Sequence, residues 1–404
     1  MTRLLATLVF WIVAGHAVLC TLYLAILCLA ALRYRAVSVP KSPPEPTPRL
    51  AVVIPAHNEA SGIAATVRSA AAAHWPPQRL DIHVVADNCD DDTAGAAQAA
   101  GATVHSRRAP DNRGKGQALD WFFRQCAPAY AAADIVVVID ADTLMLPDFA
   151  PAMAAAFARP DVLAAQGYYG VRNPQESWRT SLIAAALALF HHLRPAGRDV
   201  LGASAGLRGN GMAFRADLLR RLGWPAHGIV EDAECALVLL GEDIRVRYVA
   251  SAVVLAEMAA TAQQADSQRR RWEAGRLALL RSHGPGLFRG LSRQNALARL
   301  DAALDLLTPP LTLLALEQCL AAAAAAVLAP GWFPALLGLP LVTVAAVVLA
   351  LALRREPAFV WLRLAAAPAF AAWKLLLYAR MLFSKKTTAW TRTLRRGERP
   401  EDAP

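Results

Sequence analysis

Six cysteines occur in the chain, Cys20, Cys28, Cys89, Cys126, Cys235 and Cys319, and none forms a CxxC pair or a zinc-type spacing with another. This excludes a disulfide framework or a cysteine-held metal, so the thiols read as packing residues of a reducing compartment. No segment repeats at a period of roughly 20–50 residues, which excludes a solenoid or propeller. Cations are missing from one long stretch, with no Lys or Arg between Arg299 and Arg354. Apolar residues are abundant instead: 56% of the 404 residues are hydrophobic and mean hydropathy is +0.31. An ordinary soluble enzyme is less apolar, so part of the chain belongs in a membrane. The net charge of +10 and pI near 9.7 suit a polyanion. The arginines lie largely beside apolar segments, which fits anionic lipid headgroups, and no nucleic-acid partner is expected.

The first apolar segment, Leu4 to Leu32, exceeds the ~20 residues a bilayer needs. It is too long for a signal peptide and opens with only Arg3. Arg33, Arg35 and Lys41 follow it and should stay in the cytoplasm, which leaves the amino terminus outside. "VPKSPPEPTPR" then forms an extended spacer. Near the other end "APGWFP", residues 329–334, splits the apolar run into a helical hairpin whose tip faces outward. The third carboxyl-terminal stretch, Leu364 to Phe383, contains Lys374 and Arg380. A re-entrant or interfacial helix there keeps Lys385, Lys386, Arg392, Arg395 and Arg396 inside, and is preferred to a span. The resulting division is a transmembrane helix (1–32), linker (33–49), cytoplasmic domain (50–267), interfacial helices (268–300), transmembrane hairpin (301–353) and a final apolar segment with a basic tail (354–404).

Within the cytoplasmic part, "RLAVVIPA", "LDIHVVAD", "ATVHSR" and "DIVVVIDADT" read as strands alternating with helices, which predicts an α/β domain with a mostly parallel sheet. Ile135 to Ile139 has no polar alternation, so that strand is buried on both faces. It delivers Asp140 and Asp142 to its carboxyl end, where open α/β sheets bind ligands. Two carboxylates this close suit a hard divalent cation holding phosphate oxygens, although a helix cap beside an incidental neighbour gives the same letters. Asp87, at another strand end, can accept from a base or a ribose hydroxyl, or can cap a helix. Lys115 in "NRGKGQAL" suits a pyrophosphate between glycines, or is a solvated loop lysine. "SAGLRGNGMAFRADLL" suits a close backbone approach to a ligand or a tight turn. Glu231 and Asp232 open a helix, where its dipole favours acids whether or not they do chemistry. In "DSQRRRWEAGRLALL", Gln268, Arg271 and Trp272 fall at i, i+3 and i+4 on one helical face, in a segment that also reads as an amphipathic interfacial helix.

"VVIPAHNE", Asp87, "GKG" at 114–116, "DAD" at 140–142, "ED" at 231–232 and "QRRRW" at 268–272, in this order, resemble the membrane-bound family-two glycosyltransferases, the cellulose, hyaluronan and chitin-oligosaccharide synthase group with its D, D, D, QxxRW pattern. The resemblance implies a GT-A fold in the cytoplasmic domain, an integral protein of a bacterial inner membrane, and inverting sugar transfer. The donor would be a nucleotide sugar, by resemblance UDP-linked, such as UDP-GlcNAc or UDP-Glc, and the acceptor a saccharide or lipid. It also implies that Asp87, Lys115 and Asp140 bind the nucleotide and its phosphates, that Asp142 with Asp140 holds Mg²⁺ or Mn²⁺, and that Asp232 is the general base. Gln268, Arg271 and Trp272, with Glu231, would border the acceptor and the pyrophosphate. The family often has Thr before "ED", where this chain has Val230; the departure bears on local hydrogen bonding. The helix set resembles the chitin-oligosaccharide synthases more than cellulose synthase. Polysaccharide-export or accessory membrane proteins are possible partners, and Asp301, Asp305 and Glu317 are the few acids able to face a polymer path.

Two rival classes share parts of this pattern. "VVVIDADTL" matches the DxDx(T/V) nucleophile motif of haloacid-dehalogenase-type phosphatases, but here two strand–helix units precede it and QxxRW has no role in that scheme. A non-catalytic membrane scaffold has no support from the sequence, since every expected acidic position is filled.

Overall fold

The computed structural model describes residues 2–228, 230–258, 275, 278–287, 289 and 295–383. They fall into a strand-rich unit built on residues 35–174 and 203–278 and a helical unit built on residues 1–34, 175–202 and 279–387.

Among the described residues the strand-rich unit is organised by eight strands: β1 (Leu50–Ala56), β2 (Leu80–Asp87), β3 (Thr103–Arg107), β4 (Ile135–Val138), β5 (Thr143–Met145), β6 (Ala164–Val171), β7 (Met212–Arg215) and β8 (Val246–Ala256). They form one sheet in the order β3-β2-β1-β4-β7-β6-β8-β5. The pairs β1–β2, β1–β4, β2–β3 and β6–β8 are parallel, and β4–β7, β6–β7 and β5–β8 are antiparallel. The sheet is therefore mixed and mostly parallel. Every residue of β4 is buried, as its unbroken apolar run predicts, and its neighbours are β1 and β7.

Because β2, β1 and β4 run parallel, their carboxyl ends open on one edge of the sheet. Asp87 and the segment after Val138 then stand about two strand spacings apart, ~10 Å. Helices Ile63–Ala71, Thr93–Ala99 and Lys115–Gln125 provide the crossovers. The Asp92 carboxylate caps the second of these by accepting from the Gly95 N–H. Beneath the edge lies an aromatic core in which the Phe122 ring stacks on Tyr130 and Phe123 stacks on Trp224, with centroids 5.8 and 6.3 Å apart. Burial of these rings anchors the Lys115–Gln125 helix, and hence the lysine at its first turn.

Among the described residues the helical unit holds four helical segments long and apolar enough to cross a membrane: Arg3–Ala31, Leu311–Leu328, Pro330–Arg354 and Ala358–Leu376. Small residues let three of them approach closely, with Ala14, Ala321, Ala322, Ala325 and Ala346 all buried. Gln318 donates to the hydroxyls of Thr21 and Thr343, 2.8 Å each, so the amide joins all three helices. Gly197 lies so close to the Leu27 carbonyl that a Cβ would collide with it. Asp301 and Asp305 are held in ion pairs instead of lining an open path: Arg198 donates to Asp301 at 2.7 Å and Arg194 to Asp305, and Tyr23 donates to Asp301 at 2.8 Å. Glu317 pairs with His16 at 2.7 Å.

Candidate active site

Asp87 ends β2, and the parallel register places Arg107 opposite it at the end of β3. The Arg107 guanidinium donates to the Asp87 carboxylate at 2.5 Å, and the Asn88 amide donates to the same oxygen at 2.9 Å. Both partners of the ion pair are almost wholly buried. Asp87 thus enters the site as half of a buried pair, and Arg107 also donates to the Asn112 carbonyl in the loop before "GKG" at 2.8 Å.

Lys115 is the first residue of its helix, yet it is not a solvated loop lysine. Its ammonium donates to Asp140 at 2.5 Å and to the Gly209 carbonyl, and lies 3.7 Å from Glu231. The flanking glycines are explained by local geometry. Gly114 has φ +132°, and a Cβ on Gly116 would strike the Ala226 carbonyl. The second glycine therefore lets the helix pack closely against the chain before Glu231.

Gly209 lies at the centre of the cluster. With φ +78°, its ideal Cβ position is 3.3 Å from an Asp232 carboxylate oxygen and 3.7 Å from the Lys115 nitrogen. Lys115, Asp140, Glu231 and Asp232 therefore meet around one backbone turn, although they come from three separate parts of the sequence.

Electrostatics reflects that crowding. Burial opposes the charge on Lys115, but Asp140, Glu231 and Asp232 outweigh it and hold the ammonium well above its usual range. Burial raises the Glu231 carboxyl, with Lys115 acting against it and Asp232 adding to it. Asp232 is raised by burial, against the pull of Lys115 and Arg208. An elevated carboxyl pair beside a cation is an arrangement suited to proton transfer.

Asp142 lies two residues beyond Asp140, at the start of the turn into β5. Among the described residues no three His, Cys, Asp or Glu side chains converge to hold a metal. Asp140 and Asp142 could therefore supply two hard oxygen donors, a set that suits Mg²⁺ or Mn²⁺ when phosphate oxygens and water complete the shell. Gln268, Arg271 and Trp272 lie outside the described residues.

Residues 48–275, more than half of the chain, match the family described as Glycosyltransferase like family 2. The chain belongs to that family. Over 236 residues it is 26% identical to "Probable glycosyltransferase YdaM" of Bacillus subtilis, and over 263 residues 27% identical to the beta-monoglucosyldiacylglycerol synthase of Synechocystis sp.. These alignments cover 56% and 62% of this chain but only 55% and 54% of the relatives, so the chain spans about half the length of either. Among solved structures, the mannosyltransferase PcManGT of Pyrobaculum calidifontis, in complex with GDP-Man and Mn²⁺, superposes with a TM-score of 0.51 at 22% identity, covering 84% of this chain and 97% of that one. That likeness establishes the fold, the GT-A arrangement of a mostly parallel mixed sheet.

In this glycosyltransferase-like domain the structure adds residues that the motifs did not single out. Asn210, fully buried, accepts from the Asp140 N–H at 3.2 Å and donates to the Thr143 hydroxyl at 2.7 Å, spanning the "DADT" turn. Gln166, also fully buried, donates to the Asn210 carbonyl and accepts from the Arg208 N–H, 2.8 Å each. The Tyr169 phenol on β6 hydrogen-bonds Asn210, and burial followed by the charges of Asp140 and Asp142 pushes it well above its usual range. "RGNG" was legible as a glycine turn; its asparagine carried no separate signal. Arg107 could have been found by aligning the ends of β2 and β3.

Proposed function

We propose that the protein is an inverting membrane glycosyltransferase that moves a sugar from a nucleotide sugar to a saccharide or lipid acceptor. The observation that carries this reading is the convergence of Lys115, Asp140, Glu231 and Asp232 on Gly209 at the carboxyl edge of the sheet. Asp232 takes the proton of the acceptor hydroxyl as that oxygen bonds to the anomeric carbon. The bond from that carbon to the diphosphate oxygen breaks in the same displacement, so configuration inverts and a nucleoside diphosphate leaves. A positioned base of this kind typically contributes about 10²–10⁴-fold. Lys115 lies where it offsets charge growing on the leaving group, and the Arg107–Asp87 pair borders the base or ribose. Asp140 and Asp142 would hold a divalent cation, which supplies Lewis-acid stabilisation of the diphosphate when bound. Gln268, Arg271 and Trp272 would border the acceptor, as the family pattern implies.

The four apolar helices support insertion in a membrane, and the cation distribution supports a cytoplasmic site in a bacterial inner membrane. A UDP-linked donor is favoured by the resemblance, and the Synechocystis relative's name makes a lipid acceptor the first to test. The phosphatase reading of "DADT" is disfavoured, because the motif follows the fourth strand of a domain whose family match spans residues 48–275.

The test incubates the full chain, in nanodiscs, with UDP- and GDP-sugars and a divalent cation, and measures nucleotide release and glycosylated products by mass spectrometry. Asp232→Asn should reduce transfer by at least about 10². Hydrolysis of a simple phosphomonoester without any sugar-nucleotide turnover would overturn the reading.

A further inference from the structure

The helical unit holds several arginines whose polar partners are plain. Arg194 and Arg198 pair with Asp305 and Asp301, and Arg363 donates to the carbonyls of Gln175 and Ser177 and to the Ser181 hydroxyl at 3.0–3.1 Å. Arg179 differs. Its guanidinium carbon lies 4.3 Å from the ring centre of Trp178 and 5.7 Å from that of Trp373. Among the described residues no carboxylate or carbonyl accepts from it, and its Nε is buried without an acceptor.

The surroundings are built and not incidental. The Trp178–Leu187 helix starts at a capping box in which Ser177 and Thr180 satisfy each other's backbone N–H groups, which fixes the turn that carries Trp178 and Arg179. Phe370 meets the Trp178 ring edge-on at 6.2 Å and lies 5.5 Å from Trp373, so it buttresses the two rings that flank the cation. Trp373 belongs to the segment Ala358–Leu376, of which only 6% is buried, and Leu362 and Leu376 on it are exposed by 77% and 61%. An apolar helix with so little protein cover needs lipid against it. Tryptophans mark the depth where lipid headgroups begin.

We infer that Arg179, framed by Trp178 and Trp373, binds the phosphodiester of an anionic membrane lipid. Stacking on indoles occupies the faces of the guanidinium and leaves its edge, with its fork of N–H donors, for an oxyanion. A phosphodiester presents two oxygens to that fork, and an anionic headgroup supplies the acceptor that no described residue gives. This inference goes beyond sugar transfer and rests only on the membrane part of the preceding reading.

Native mass spectrometry would follow the full chain out of nanodiscs made of phosphatidylcholine with phosphatidylglycerol, counting lipids retained. The wild type should retain phosphatidylglycerol in preference, and Arg179→Gln should weaken that retention by about tenfold or more. Arg33→Gln, which removes an equal charge elsewhere in the same unit, should leave the preference intact. Arg179→Lys keeps the charge without the planar fork and should fall between the two, and it carries the test if Arg179→Gln does not fold. Equal retention by wild type and both Arg179 variants overturns the inference, as does an equal loss in Arg33→Gln, which would mean diffuse electrostatics only. Inorganic phosphate serves as a separate arm: if it displaces the lipid from wild type and raises the melting temperature as much as phosphatidylglycerol does, the site takes free phosphate and the lipid assignment fails. A chain that does not enter nanodiscs refutes the membrane reading itself.

Discussion

Gly209→Ala is a direct probe of the candidate site. The residue has φ +78°, a region that costs an L-residue about 1–2 kcal/mol. For a chain of this kind each kcal/mol lowers the melting temperature by roughly 2–4 °C, so the backbone strain alone amounts to a few degrees. The new methyl would also lie 3.3 Å from the Asp232 carboxylate and 3.7 Å from the Lys115 ammonium. The first contact is tight enough that a neighbour must give by a few tenths of an ångström, a fraction of the ~1 Å misplacement that costs about 10²-fold in rate. Gly101→Ala is the matched control, because Gly101 has φ +99° and nothing within 4 Å of its Cβ position. Both variants should lose a few degrees by differential scanning fluorimetry. Only Gly209→Ala should lose nucleotide release, by roughly tenfold, with whichever donor the wild type turns over. If both variants keep wild-type rates within a factor of a few, the turn at Gly209 does not position the chemistry and the Lys115–Asp232 cluster is structural.

Arg107→Leu leaves the Asp87 carboxylate buried and unpaired, a change expected to destabilise by about 3–5 kcal/mol; adding Asp87→Asn should recover part of it, as a double-mutant cycle in melting temperature would report. Arg198→Met should cost a similar amount in the helical unit through Asp301, whose partner it removes. Acid should weaken the strand-rich unit through His83, whose Nδ1 lies 3.2 Å from His105 and whose pKa burial lowers from 6.5 to about 4, with His105 adding to the shift. The unfolded chain takes up a proton here near pH 6.5 and the folded chain only near 4, so this contribution is whole above about 6.5 and declines as pH falls toward 4. At its limit it amounts to about 3 kcal/mol, and a melting curve from pH 7.5 to 4.5 should flatten in His83→Gln.

Much of this was legible because physics acts locally at the residues concerned. The Ile135–Ile139 run has no polar alternation, and a strand of that kind is stable only inside a sheet, which is where β4 lies. The sequence could not say that β7 would pair with β4 antiparallel, since Met212–Arg215 is four residues long and its partner is set by tertiary packing. Lys115 is the clearest case of ambiguity resolved by structure. A lysine between two glycines is consistent with solvent or with a ligand, and only the arrival of Asp140 and Gly209 from distant segments excludes solvent. Asn210 and Gln166 were illegible for a related reason: an amide's value depends on which backbone groups surround it, and those come from the turn after β4, from β6 and from the turn before β7.

Charge balance separates the two buried ionic clusters and explains why only one reads as a site. In the helical unit Arg194 and Arg198 face Asp301 and Asp305, two cations against two anions, with the Tyr23 hydroxyl filling a remaining acceptor. Such a set is balanced in charge and ties the helices together, with the Arg194 Nε left without an acceptor among the described residues. Around Gly209, Lys115 and Arg208 are two cations against Asp140, Glu231 and Asp232. The deficit can be met by a proton, which is why burial and repulsion raise Glu231, or by a further cation. A structural cluster of that composition would be a poor design, since an unmatched buried carboxylate costs several kcal/mol. The imbalance fits the proposed site, in which a divalent cation would offset the excess carboxylate charge and would in turn hold the diphosphate of the donor.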